Sequence, residues 1–149
     1  MRGVEDSGSN NEMLFMYFDQ IPTGIRGQYG NTDNVEVVLG YSAKFSKSEI
    51  ESAVEAVLEK FKDFEGCNLI KTWYNEGMSD IEVDSYLAGG RGSVNGAKKE
   101  NVIVLYSDFY VDSSGGDGSF TPSVIYTDWN WILIRDNDYD NWRIDDWGY

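Results

Sequence analysis

A chain of 149 residues, 41% hydrophobic and 15% aromatic, is long enough to bury the core of one domain and too rich in large rings to remain a disordered polymer. Its 26 acidic and 12 basic residues leave a formal charge of −14, a field that repels phosphate backbones and anionic lipid surfaces and excludes nucleic acid as a partner. Histidine is absent, so Ser-His and Cys-His catalysis and histidine metal sites are excluded, and any chemistry falls to carboxylates, tyrosine, lysine or the single Cys67.

Residues 1–12, MRGVEDSGSNNE, have no apolar signal core and read as a polar linker, so that an export signal or lipid anchor would lie upstream. One domain is expected over residues 13–149. No apolar run approaches the roughly 20 residues that span a bilayer. Met13 to Phe18 (MLFMYF) is a short apolar run, either a buried strand or an arm that docks on a second copy of the chain. Pro22, Gly24, Gly27 and Gly30 make the next stretch a loop, and Val35 to Leu39 is a short strand or an irregular lead-in to a helix.

The strongest local pattern follows. Ser46 with Glu49 three residues on forms a capping box, and Phe45 with Ile50 has the spacing of a hydrophobic staple. Ile50, Ala53, Val54, Val57, Leu58 and Phe61 then repeat at helical spacing, with Gly66 as the expected stop. Leu69 to Tyr74 reads as a strand. Ser79 with Glu82 is a second capping box, opening a short helix to about Leu87. The glycine-rich Gly89 to Gly96 lacks the order of a phosphate-binding loop and reads as a flexible connection.

The last third is β-rich. Val102 to Asp112 is a long strand, Val124 to Asp136 a second and Trp142 to Tyr149 a short third, which predicts an antiparallel meander. Alternation places Ile103, Leu105, Ser107, Phe109 and Val111 on a core face. The opposite face changes from Val102 and Val104 to Tyr106, Asp108 and Tyr110, as if one end were buried and the other open. Trp129, Trp131, Leu133 and Arg135 share a face on the second strand, with Asn130, Ile132 and Ile134 opposite. Neither face is wholly polar, so the sheet is expected to be covered at least partly on both sides.

A candidate pocket on these strands combines Tyr106, Asp108, Trp129 and Trp131 with Asp145 or Asp146. A carboxylate desolvated among rings can act as a general acid or base. The same residues also suit plain packing, with the acids solvated at strand ends or paired with Arg135 and Arg143. Asp136, Asp138 and Asp140 have the alternate spacing that opens a calcium loop, but Asn141 and Trp147 stand where its glycine and glutamate belong, leaving at most a weak metal site and more simply a turn. Cys67 reads as a small buried apolar residue.

The segments FSKSEI, FEGCNL, VIVLYSDFYVDSSGGDGS, WNWILIRD and WRIDDWGY resemble those of small uncharacterised proteins and lipoproteins of Gram-positive bacteria, over roughly Tyr41 to Tyr149. The resemblance implies an α+β fold of the cone-shaped nuclear-transport-factor-2-like or cystatin-like kind, with a long N-terminal helix on a curved antiparallel sheet. It also implies an extracytoplasmic setting, tethered or secreted, with a cytoplasmic one as the alternative, and it carries over no catalytic residue. Three roles follow. The first is a non-enzymatic domain that binds a small molecule or a protein, without a cofactor. The others are an isomerase- or dehydratase-type enzyme with an Asp/Tyr pair in a cone pocket, and a homodimeric structural module.

Overall fold

A computed structural model describes residues 29–149. The linker and the Met13 to Phe18 run lie outside the described residues. The elements are β1 (Glu36–Leu39), α1 (Lys47–Phe61), β2 (Cys67–Tyr74), α2 (Glu76–Gly89), α3 (Gly92–Asn95), a 3-10 turn at Lys99–Asn101, β3 (Val102–Val111), β4 (Ile125–Ile134) and β5 (Arg143–Gly148). Five strands form one open sheet in the order β1-β2-β3-β4-β5, a mixed α+β architecture. The β2 to β5 pairs are antiparallel, and β3-β4-β5 is the expected meander. β1 is parallel to β2. The sheet is therefore mixed where a wholly antiparallel one was expected, because α1 is a crossover that returns the chain to the starting end of the sheet.

Helix α1 begins as its sequence directs. Ser46 Oγ accepts the Glu49 amide and the Glu49 carboxylate accepts the Ser46 amide, so both halves of the capping box are made. The helix ends at Phe61, ahead of Gly66. The amides of Lys62, Asp63 and Phe64 donate to carbonyls three residues back, which tightens the chain and swings Phe64 into the core. Gly66, at φ 72°, instead makes the turn into β2.

Helix α2 starts four residues before the expected position. Asn75 is its cap, accepting the Met78 amide. Ser79 lies inside the helix, buried, and its hydroxyl accepts the Val104 amide of β3. The Gly89 to Gly96 stretch is not an open loop: it holds α3, whose Gly92 lies so close to the Tyr86 ring that an added Cβ would stand 2.6 Å from it.

The sheet separates two cores. On one face α1 brings Ile50, Ala53, Val54, Val57 and Phe61 against Ile103, Leu105, Phe109, Trp129, Trp131 and Leu133. On the other, α2 sets Val83 and Tyr86 over Val102, Val104, Ile132 and Ile134. At about 25 cal/mol per Å² of apolar surface, these layers supply the main drive to fold.

Candidate functional site

The α1 face is filled. Phe61, Phe64, Phe109, Trp129 and Trp131 are buried with stacked, edge-to-face and tilted ring contacts at 5.2–6.0 Å. Trp131 donates its indole N–H to Ser107 Oγ at 2.9 Å, and that hydroxyl is 2.8 Å from Thr72 Oγ1. Trp129 has a buried indole N–H with no hydrogen-bond partner among the described residues, and Phe64, Phe109, Phe120 and Tyr149 stand against its ring.

The opposite face is covered at one end only. Beyond Val102 and Val104, which lie under α2, the strand presents Tyr106, then half-buried Asp108, then exposed Tyr110. Register extends this into rows across the sheet. Val38, Trp73, Tyr106 and Asn130 form one; Glu36, Lys71 and Asp108 a second; Asn68, Tyr110 and Ile125 the outermost. Trp73 stacks on Tyr106 with centroids 6.1 Å apart, and the Lys71 ammonium lies 5.3 Å from the Trp73 ring. Tyr106 donates to the Met78 carbonyl, and burial pushes its hydroxyl up to about 12. Asp108 accepts the amide of Asp128, a residue held at φ 56° by a bulge in β4. Trp73, Lys71 and Ile125 were not singled out from the sequence. Alternation assigns each to a face of its own strand, but only register brings them together.

Of the six candidate pocket residues, the structure thus places Tyr106 and Asp108 on the α2 face and Trp129 and Trp131 on the α1 face. The pairs Leu105 with Trp131 and Ser107 with Trp129 fix that division. A pocket of all six would have to pass through the sheet. Asp145 stands at a bulge in β5, with half-buried Asp146 beside it opposite Ile132. Arg91 grips the Asp145 carboxylate with two N–H groups at 3.0 and 3.1 Å, and Tyr86 donates to it at 2.5 Å. Asn95 donates to Tyr86 Oη at 2.8 Å. The Arg91 contact holds Asp145 below the usual carboxylate range, while burial and the Asp145 contact push Tyr86 up to about 12. At neutral pH this pair keeps its proton on the tyrosine. It clamps α2 and α3 to β5, and neither member is tuned to exchange a proton near pH 7.

Arg135 is a second hub. It is 7% exposed, donates to Glu49 at 2.7 Å and to Asn101 at 3.1 Å, and lies 4.3 Å from the Trp142 ring centroid. Cys67 is buried, and desolvation with nearby Asp112 and Asp117 pushes its thiol up to about 12. Asp136, Asp138 and Asp140 are exposed in the β4–β5 connection, and among the described residues no cluster of three or more acidic or thiol side chains is placed to hold a metal ion. No helix among the described residues is long and apolar enough to cross a membrane.

The sheet and both its helical covers lie within one family span. The model for the domain of unknown function DUF4829 matches residues 29–148. The chain belongs to the DUF4829 family. No curated protein and no solved structure matches it. Within this DUF4829 domain, the bare end of the α2 face sets Glu36, Lys71, Asp108, Tyr110 and Ile125 side by side across four strands. It offers ring faces, aliphatic contact and carboxylates.

Proposed function

We propose that this DUF4829 domain is a non-enzymatic binding domain, and that its working surface is the bare end of the α2 face. The partner is a protein segment carrying basic and apolar side chains. The observation that carries this is the early stop of the α2 cover: Ile125 is left 55% exposed and Tyr110 37% exposed beside half-buried Trp73, with Glu36, Asp108 and Asp128 among them. Apolar side chains give a partner surface to bury, and the acidic groups, within a chain of charge −14, favour a cationic one. The Asp/Tyr enzyme draws less support, since Asp145 is shifted away from the range a general acid needs.

The same reading places the domain outside the cytoplasm of a Gram-positive cell and counts α1 and its sheet as a cone of the nuclear-transport-factor-2-like or cystatin-like kind. The resemblance to bacterial lipoproteins supports the first. The helix lying across the ring-filled face supports the second.

The test is an NMR titration of the isotopically labelled protein with a synthetic peptide of alternating lysine and leucine, beside the same peptide with glutamate for lysine. The proposal expects saturable shifts at Trp73, Tyr110 and Ile125 with the lysine peptide alone, lost in Ile125→Arg. Shifts centred elsewhere, or equal for both peptides, would sink it. A dimer by light scattering that Ile125→Arg turns into a monomer would assign the face to a second copy instead.

A further inference from the structure

At the other end of the sheet, a second site has the opposite character. We propose that the hollow between the α3 turn and the β4–β5 connection binds a small oxyanion: a carboxylate, sulfate or phosphate group. The hollow has a volume of about 80 Å³, and Asn95, Lys98, Asn101, Arg135, Asp136 and Arg143 are among the residues that line it.

Charge is the first argument. The chain has 26 acidic residues and 12 basic ones, yet Lys98, Arg135 and Arg143 line this hollow against one acidic residue, Asp136. Arg135 stands at the wall of the hollow, bonded to Asn101 and, toward α1, to Glu49 and the Trp142 ring; its side chain is almost wholly desolvated, so its field is weakly screened. Glu49 offsets part of that charge. Lys98 has no carboxylate partner among the described residues, and Arg143 spends one nitrogen on Asp136 at 3.0 Å while both side chains stay exposed to water. Exposed pairs of that kind contribute little and open easily.

Donor chemistry is the second argument. The Asn101 amide makes only a long 3.5 Å contact to the Asp136 carbonyl, and the ammonium of Lys98 and the guanidinium of Arg143 carry N–H groups and no acceptor. An oxyanion supplies the acceptors that this set lacks. Size is the third. The hollow has room for several waters, and hence for a group of a few heavy atoms. A metal cation is disfavoured by the same three positive side chains.

This site is independent of the sheet-face reading, and it is tested separately. Sodium acetate, sulfate and phosphate are titrated against sodium chloride at constant ionic strength, with backbone amide shifts read for wild type, Lys98→Ala and Arg143→Ala. Both substitutions are at exposed positions, so the fold is not at stake. Saturable shifts confined to residues 95–101 and 134–143 are expected, weakened about tenfold in Lys98→Ala by loss of a charge-assisted hydrogen bond. Acetate tells a carboxylate ligand from a tetrahedral anion. Shifts that follow chloride, or affinities unchanged in both variants, would overturn the proposal. So would saturation only far above millimolar concentrations, which would mean an adventitious ion only.

Discussion

Ser107 is fully buried among Ile103, Leu105 and Phe109, yet it serves both the Trp131 indole and the Thr72 hydroxyl. Ser107→Ala leaves the indole N–H without an acceptor and should cost about 1–3 kcal/mol in urea unfolding, with little change in the denaturant slope. Adding Thr72→Val removes the second stranded group and should recover part of that loss. Arg135→Leu is expected to cost more, about 3 kcal/mol, because half-buried Glu49 loses its partner and Trp142 loses the cation on its ring. Alternation alone placed Ser107 on the core face. It could not say why a serine belongs there, because Thr72 lies 35 positions away and meets it only through the β2–β3 register.

At the scale of elements, start signals were legible wherever they acted between near neighbours. The Ser46–Glu49 box is local, and Ser46→Ala should lower stability by about 1 kcal/mol and fray α1 first, which hydrogen exchange of Glu49 and Ile50 would register. Ser79 and Glu82 have the same spacing but act otherwise. Asn75 takes the cap, and Ser79 is drawn into the helix by its bond to β3, so Ser79→Ala should cost about 1–3 kcal/mol through the orphaned Val104 amide, with little effect on helix initiation. A motif that fits two positions is decided by the neighbour that buries it. Gly66 shows the same: α1 stops at Phe61 because Phe64 gains more from the core than from another helical turn.

For the whole molecule, pH acts in two directions. Hydrogen bonds from Ser42 and the Ala43 amide, with one from Tyr74, hold Glu76 down to about 2, and Arg91 likewise lowers Asp145. Groups lowered on folding stabilise above their unfolded value, about 4 for carboxylates, and that contribution is lost as pH falls toward 2. Burial raises Tyr86 and Tyr106 to about 12, so their contribution is present below the ordinary tyrosine value of about 10 and is lost as pH rises through 12. Melting temperature against pH should therefore fall on both flanks, and Glu76→Gln should flatten the acid one. An unchanged acid flank in that variant would discount the Ser42–Glu76 network.

Periods of 3.6 and 2 in the sequence, with its caps and turns, were enough to determine the main helix, the three C-terminal strands and the core face of β3, because those signals act between neighbours. The parallel β1, the Asn75 start of α2 and the division of Tyr106 and Asp108 from Trp129 and Trp131 were decided only by the tertiary structure. Which strand lies beside which, and where a bulge shifts register, depends on contacts distant in the chain. Trp129 and Trp131 became the packing of one face, and the surface left open lies on the other, beyond Tyr106.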